Sequence, residues 1–260
     1  MTRITFACRS NSCRSQMAEG WANEWINKER ERLENALKIQ TYYGSECVLD
    51  SPDYNNMDNK STDVDDDIET LERKLIFLTN IKIFSVALDQ NLFSDIDHGK
   101  KSNIKNTCMA CDESECAVSQ TRRSVKSKAI QAMAKDGVDI STHYPKSIVH
   151  ILKVLGKQTV ENFHISNEAC SSSSSTDYKQ NSRYHIFDKL IILCSCGDEM
   201  KQNLIQYSKS VEEWDIDPPT IAAKSGEGDQ AYRRISLEIR CKVDKMFRNL
   251  TQNYIMQPFA

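Results

Sequence analysis

The chain has 260 residues, of which 39% are hydrophobic and 27% are charged, with a net charge of -3 and a pI near 6.0. This balance excludes the one-sided basic surface that drives binding to a nucleic-acid backbone, so we expect no nucleic-acid partner. No apolar run approaches the ~20 residues of a membrane-spanning helix, and the sequence begins with a strand pattern instead of a leader peptide. We therefore expect a soluble, cytoplasmic protein without a membrane partner.

The length and the cysteine content limit the remaining possibilities. A chain of this size forms one domain or two, given a soft prior of ~150 residues per domain. Its ten cysteines, in the absence of a leader, favour thiols kept reduced for catalysis, redox exchange or metal binding over a framework of disulfides. The cysteines are therefore the first candidates for a functional site.

The first half of the chain predicts two strands and one helix. Arg3–Ala7 alternates toward an apolar end, as a short strand does, and Ser15 to about Leu33 carries apolar residues at four-residue spacing, which indicates a helix. The β-branched run Ile81–Leu88 is typical of a buried strand. The first strand and helix are joined by a seven-residue connection that begins with Cys8.

The second half predicts three helices and a further strand. A helix over Val125–Lys135 ends before Gly137, a residue suited to the left-handed conformation past a helix end. A second helix runs from about Lys146 to Leu155, and Phe187–Cys194 is a continuous apolar run, as in a parallel strand covered on both faces. A long helix follows from about Asp229 to Asn249. Strands that alternate with helices predict an open parallel sheet.

Three polar segments interrupt this pattern, at about 38–78, 91–121 and 157–183. The first is acidic and rich in asparagine, the second contains a group of cysteines, and the third contains a run of serines. Such stretches cannot bury enough apolar area to offset the entropy cost of ordering them. We interpret all three as loop insertions in a single domain that spans residues 1–260.

The connection between the first strand and helix has the chemistry of an anion site. In an open α/β sheet, ligands bind beyond the carboxyl ends of the strands, and the backbone N–H groups of a tight loop before a helix attract oxyanions. The same field stabilises a thiolate, so Cys8 is a candidate nucleophile. Arg14 can hold two oxyanion oxygens, Ser15 can donate to the thiolate, and Asn11 can fix the curvature. The predicted oxyanion-binding residues are Arg9, Ser10, Asn11, Ser12, Cys13, Arg14 and Ser15.

The string "CRSNSCRSQMAEG" resembles the Cys-x5-Arg phosphate loop and following helix of the low-molecular-weight protein tyrosine phosphatase superfamily, including its arsenate reductase branch. "AIQAMAKDGVDISTHYPKSI", "LIILC" and "EEWDIDPP" extend the resemblance in matching order over about 140 residues. It implies an open parallel four-stranded sheet with helices on both faces, a phosphate loop after the first strand, and a monomeric enzyme that binds arsenate or phosphate.

The Asp-Pro segment is the expected source of a general acid. A covalent adduct on Cys8 forms easily only if the departing oxygen is protonated, which requires a carboxylic acid over the loop. Asp217, followed by two prolines, is the candidate, and Asp215 is the alternative. Without the resemblance, the same residues would be interpreted as a turn that enters a helix.

The resemblance to the thioredoxin-linked arsenate reductases implies that Cys194 is a resolving cysteine, which attacks the arseno-adduct on Cys8 and forms a disulfide. Gln16 also follows that branch, because many phosphatases carry proline there. Pro219 and Thr220 stand where eukaryotic tyrosine phosphatases tend to show a pair of tyrosines. We therefore predict an arsenate reductase. The alternatives are a phosphatase that hydrolyses phosphotyrosine or other phosphomonoesters through a phosphocysteine on Cys8, with phosphoprotein substrates, and a non-catalytic protein that binds an oxyanion or a metal.

A third thiol is expected in these reductases, and the candidate here is Cys196. A Cys194–Cys196 disulfide would close a very small ring and be easily reduced. Either Cys196 acts as the redox shuttle, another thiol does so, or glutathione or glutaredoxin reduces a Cys8–Cys194 disulfide directly. The expected reductant of a reductase is thioredoxin or glutathione with glutaredoxin. No bound cofactor is expected. The sequence leaves these alternatives open.

The remaining cysteines carry weaker hypotheses. Cys13 is expected to pack behind the loop. Cys108, Cys111 and Cys116 have C-x2-C-x4-C spacing, and with His98 they could complete a tetrahedral zinc site or capture arsenite. A single cluster is weak evidence against the simpler interpretation of a solvated loop, so we assign no firm metal site.

Overall fold

A computed structural model describes residues 1–46, 66–89, 124–148, 150–151, 155 and 185–257 of the chain. Within these residues, four parallel strands form one sheet in the order β2-β1-β3-β4. They are β1 (Thr2–Cys8), β2 (Ile81–Ala87), β3 (Phe187–Ile192) and β4 (Ser208–Glu213). The predicted open four-stranded parallel sheet is confirmed.

Helices α1 (Arg14–Glu46), α2 (Ile68–Thr79), α3 (Ser127–Ala134) and α6 (Gln230–Ile255) pack together, and their buried side chains join one hydrophobic core. The remaining helices are α4 (Asp198–Ile205) and the short α5 (Pro219–Ala222), which leads into a π-helical turn, Ala223–Glu227. None of the helices in the described part of the chain is both long enough and apolar enough to cross a membrane.

The sheet separates two hydrophobic cores. Ile4 and Phe6 of β1 belong to the core shared with α1, α2, α3 and α6, whereas Ala7 and Cys8 belong to a smaller core that includes Ile148, Ile151 and Leu204 of the opposite layer. Successive strand residues point to opposite faces, and both faces of the sheet are covered. This burial explains why β1 and β3 both end in apolar residues that are buried.

The helix predicted to end near Leu33 continues to Glu46, and α2 was not predicted at all. The last residues of α1 and nearly all of α2 fall within the predicted insertion at 38–78, so the two ends of that segment are helical. The cause is tertiary packing: Ala36 and Leu37 pack against the main core, and α2 buries Leu71, Phe77 and Leu78. Polar residues are mixed with apolar ones in these helical segments, so the apolar periodicity of the sequence did not indicate the contacts.

Other boundaries also differ from the prediction. Helix α6 runs to Ile255 instead of Asn249, because Tyr254 stacks on Phe77 with ring centroids 4.7 Å apart. Strand β3 ends at Ile192, two residues before Cys194. Lys146 precedes the helical residues 148, 150 and 151 instead of starting the helix. The predicted insertions at 91–121 and 157–183 lie outside the described residues.

Candidate active site

The candidate site lies at the carboxyl edge of the sheet, where β1 occupies a central position. Backbone hydrogen bonds continue past the strand ends: the Leu193 N–H donates to the Ala7 carbonyl at 2.8 Å, and the Leu88 N–H donates to the Cys8 carbonyl at 3.0 Å. The chain segments after β1, β2 and β3 therefore leave the sheet side by side. Cys8 is 4% exposed at the centre of this edge.

Cys8, Asn11 and Ser15 form the predicted constellation. The Cys8 Sγ lies 2.9 Å from the Ser15 Oγ, and the Asn11 Nδ2 donates to the same Oγ at 2.9 Å. Because the Asn11 amide supplies a proton to the Ser15 oxygen, the Ser15 hydroxyl proton is free to point at the sulfur. Asn11 has φ 49°, the left-handed conformation that asparagine tolerates better than most residues. This conformation turns the loop back on itself.

The loop presents unpaired donors at the start of α1. Within the described residues, no protein acceptor is bonded to the backbone N–H groups of Ser10, Asn11, Ser12 and Cys13. The first turn of α1 contains no acidic residue, so nothing on the helix opposes an anion there. A curved series of N–H groups at a helix N-terminus binds a tetrahedral oxyanion. The Arg9 side chain points away, 69% exposed and 3.8 Å from Asp89, and Arg9 therefore contributes only backbone to the loop.

Asn11 is held from behind by Gln16 and by the segment 143–146. The Gln16 Nε2 donates to the Asn11 Oδ1 at 2.7 Å and to the Tyr144 carbonyl at 2.8 Å, and the Lys146 N–H donates to the Asn11 Oδ1 at 2.7 Å. In the sequence, Gln16 indicated only a likeness to the arsenate reductase branch. Its position one residue after Ser15, on the buried side of α1, was the available signal of a structural role.

A charged cluster lies behind this support. The Glu19 carboxylate accepts from the Lys146 Nζ at 2.8 Å and from the Ser85 Oγ at 2.6 Å, and it lies 3.7 Å from the His143 Nδ1. The His143 Nδ1 also lies 3.1 Å from the Gln16 Oε1, an acceptor, so this nitrogen carries the proton. Burial lowers the pKa of His143, and the nearby Glu19 charge opposes this effect only in part.

Arg14 connects the loop to the Asp-Pro segment. Its Nη1 donates to the Ile216 carbonyl at 2.6 Å, and Ile216 is flanked by Asp215 and Asp217, both exposed. The Asp215 Oδ1 accepts from the Ser195 Oγ at 3.1 Å. Both carboxylates are therefore next to the residue that Arg14 contacts, and Asp215 is also engaged with the segment after β3.

A second connection joins the same two regions. The Lys126 N–H donates to the Ser12 carbonyl at 2.9 Å, and the Lys126 Nζ donates to the Thr220 Oγ1 at 2.6 Å. Thr220 is one of the two positions where the resemblance would place tyrosines in eukaryotic phosphatases. In this chain, the hydroxyl of Thr220 at that position contacts the Lys126 side chain instead.

Cys13 is buried behind the loop, as expected. The pKa of Cys13 is raised to about 12, mainly because burial removes the thiolate from water and further because of the negative charge of Cys8. Cys13 is therefore a thiol at neutral pH and serves as packing. Its thiolate, which is the nucleophilic form of a cysteine, is therefore scarce.

Cys194 and Cys196 are joined by a disulfide, with Cα atoms 5.4 Å apart. Cys194 is 5% exposed and belongs to the same core cluster as Cys8. Cys194 follows Leu193 just as Cys8 follows Ala7, and those two preceding residues are hydrogen-bonded. Cys8 itself is a free cysteine.

The metal hypothesis falls on residues that the structure leaves undescribed. Cys108, Cys111, Cys116 and His98 all lie outside the described ranges. Among the residues that are described, no group of three or more His, Cys, Asp or Glu side chains is arranged to hold a metal ion.

No protein-family model and no curated protein matches this chain. Among solved structures, it is similar to an arsenate reductase in the phosphate-binding state, with 16% identity, 96% of this chain and 98% of that chain covered, and a TM-score of 0.42. It is also similar to an arsenate reductase in the oxidized state, with 16% identity, 98% of this chain and 99% of that chain covered, and a TM-score of 0.41. A low-molecular-weight protein tyrosine phosphatase from Streptococcus pyogenes gives 12% identity, coverages of 92% and 90%, and a TM-score of 0.36. Because these scores and identities are low, the function proposed below rests on the residues of the Cys8 loop and its neighbours.

Proposed function

We propose that the protein is an arsenate reductase that uses Cys8 as nucleophile and Cys194 as resolving thiol. The observation that carries this proposal is the Cys194–Cys196 disulfide beside the Cys8 loop. A phosphatase needs one cysteine and water, whereas a reductase must supply two electrons to arsenic. A pair of thiols next to the nucleophile supplies them.

The first step is the attack of the Cys8 thiolate on arsenic, which forms a sulfur–arsenic bond and expels one oxygen. Asp217 donates the proton that lets this oxygen leave as water. The loop N–H groups and Arg14 bind the remaining oxygens and stabilise the charge that develops on them. The Ser15 hydroxyl stabilises the Cys8 thiolate before the attack.

The second step transfers electrons. The Cys194 thiolate attacks the Cys8 sulfur, the electron pair of the sulfur–arsenic bond stays with arsenic, and arsenite leaves. The Cys196 thiolate then attacks the Cys194 sulfur, releases Cys8 as a thiolate and forms the Cys194–Cys196 disulfide. An external dithiol, thioredoxin or a glutathione and glutaredoxin system, reduces this disulfide and completes the cycle.

The alternative function is hydrolysis of phosphomonoesters. The contacts of Cys8, Ser15 and Arg14 support it equally, because a phosphocysteine forms in the same cradle. The contact between Lys126 and Thr220 favours a small inorganic oxyanion, since neither side chain offers the aromatic surface that an aryl phosphate would pack against. A non-catalytic oxyanion-binding protein is the third candidate, and it would bind the anion without turnover.

The test measures arsenate-dependent oxidation of NADPH, coupled through thioredoxin or glutaredoxin, together with hydrolysis of p-nitrophenyl phosphate. Cys194→Ser and Cys196→Ser are expected to lose steady-state arsenate turnover and to keep ester hydrolysis. Cys241→Ser, at a free exposed cysteine of α6, is the matched control and should keep both. Equal ester hydrolysis by all variants without any arsenate turnover would establish the phosphatase instead, and binding without either activity would establish the third candidate.

A further inference from the structure

Lys146 contacts the support of the Cys8 loop with both its backbone and its side chain. Its backbone N–H donates to the Asn11 Oδ1 at 2.7 Å, and its carbonyl accepts at 2.9 Å from the N–H of Ala87, the last residue of β2. Its Nζ lies 2.8 Å and 3.1 Å from the two Glu19 oxygens and 3.3 Å from the Ser85 Oγ. One residue thus joins β2, α1 and the loop.

The side-chain end of these contacts is buried. The side chains of Lys146 and Glu19 are 12% and 11% exposed, and Ser85 is fully buried on β2 opposite Phe6 of β1. A long lysine side chain in solvent gains little from an ion pair. A buried ammonium with three oxygen neighbours, in contrast, is fixed in position, because leaving the Glu19 carboxylate without it is costly.

The backbone end acts on the reacting group. Asn11 accepts from the Lys146 N–H, the Asn11 Nδ2 donates to the Ser15 Oγ, and this oxygen contacts the Cys8 Sγ. A displacement of the Lys146 backbone would therefore move the residue that holds the left-handed turn of the loop. It would also disturb the donor that stabilises the thiolate.

We propose that Lys146 is a positioning residue for oxyanion binding: the Glu19 carboxylate anchors its ammonium so that its backbone N–H holds Asn11, and with it the Cys8 loop, in the binding conformation. The inference rests on the proposed function only in that the loop binds an oxyanion. It applies equally to reduction and to hydrolysis. A purely stabilising ion pair would make the fold more stable without affecting the loop in the folded protein.

The test uses Lys146→Met, which keeps the backbone N–H and removes the ammonium. Iodoacetamide alkylation of Cys8 is followed by mass spectrometry from pH 5 to pH 9, and inorganic phosphate is titrated as a protecting anion. We expect Lys146→Met to need at least tenfold more phosphate for half protection and to show an altered pH profile of Cys8 alkylation. Lys74→Met is the matched control, because Lys74 is 15% exposed and pairs with Asp66, whose carbonyl accepts from Gln40 in the second half of α1. It should behave as the unmodified protein does.

The double variant Lys146→Met/Glu19→Gln separates positioning from simple charge neutralisation. It removes the unpaired buried carboxylate, so its melting temperature should recover toward that of the unmodified protein while phosphate protection stays weak. This variant also provides the measurement if Lys146→Met alone does not fold. Full recovery of protection in the double variant would overturn the proposal, as would unchanged protection in a folded Lys146→Met. If phosphate fails to protect Cys8 even in the unmodified protein, the proposed function is wrong as well.

Discussion

The Cys8 loop and the Asp215–Asp217 segment meet at the same edge of the sheet but are held by different means. Asn11 is fully buried and contacts Ser15, Gln16 and Lys146, so the turn of the loop is fixed from several directions. Asp215 and Asp217 are exposed, and their segment is joined to the rest of the site by the contacts of Arg14 and Ser195.

This difference corresponds to two chemical tasks. A cradle for an oxyanion is most effective when its donors are already in place, because no reorganisation is then needed as charge develops. A general acid must instead approach the adduct and later withdraw to meet water. The buried side of the site matches the first task and the exposed side matches the second.

The largest expected effect tests the exposed side. Asp217→Asn removes the proposed proton donor and keeps the size of the side chain, so turnover of arsenate or ester should fall by roughly 10²–10⁴-fold. Phosphate protection of Cys8 should stay unchanged, because Asp217 is not part of the cradle. Asp215→Asn is the control. If that variant loses turnover and Asp217→Asn does not, Asp215 is the acid.

A second prediction concerns the interior of the loop and compares two free cysteines. With a pKa of about 12, Cys13 has roughly a thousandth of the thiolate that an ordinary cysteine has at neutral pH, and the thiolate is the reactive form. Iodoacetamide should therefore alkylate the buried Cys13 far more slowly than the exposed Cys241. Peptide mapping of the folded protein measures both rates. Comparable rates would show that the loop opens to solvent.

The smallest expected effect concerns the support behind the loop. Burial lowers the pKa of His143 in the folded protein, whereas the unfolded chain has the ordinary histidine pKa of about 6.5. The unfolded state therefore binds the proton first as the pH falls. The stability due to the neutral ring is complete above about pH 6.5 and is lost as the pH drops toward the lower folded value.

The groups that face His143 are Glu19, Lys146, Asp139 and Gln16. Urea unfolding at pH 7.5 and pH 5.5 should show a smaller loss of stability on acidification for His143→Asn than for the unmodified protein. His185→Asn, at an exposed histidine before β3, is the control and should leave the loss unchanged. An equal loss in all three proteins would mean that carboxylates alone cause the acid sensitivity.

The sequence predicted the contacts that lie close together in the chain. Cys8 and Ser15 are seven residues apart, and the predicted contact between them is present. Asn11 was predicted only to fix the curvature of the loop, and it also donates to Ser15. The partners of Glu19 were not predicted, because Ser85 and Lys146 are 66 and 127 residues away. Such contacts depend on how the strands and helices assemble. The available signal was a carboxylate on the buried face of α1, which implies a partner but does not identify it.

The fourth strand shows a second reason why an element cannot be located from the sequence. The resemblance implied four strands, but β4 could not be located, since only Ser208 of its six residues is buried. An edge strand that faces solvent on both sides has neither a continuous apolar run nor an alternating pattern. Strand β4 is defined by its backbone hydrogen bonds to β3. Such bonds cannot be recognised from amino-acid composition.

The two cysteines after β3 lie between Lys189 and Lys201, with no lysine or arginine between them. Trypsin would therefore release both in a single fragment, in which the oxidised and reduced forms differ by the mass of two hydrogen atoms. A disulfide from Cys8 to Cys194, in contrast, would join two fragments that are far apart in the chain. The two disulfides of the proposed cycle thus leave different signatures in a digest, and their amounts could be followed in living cells without labelling the protein.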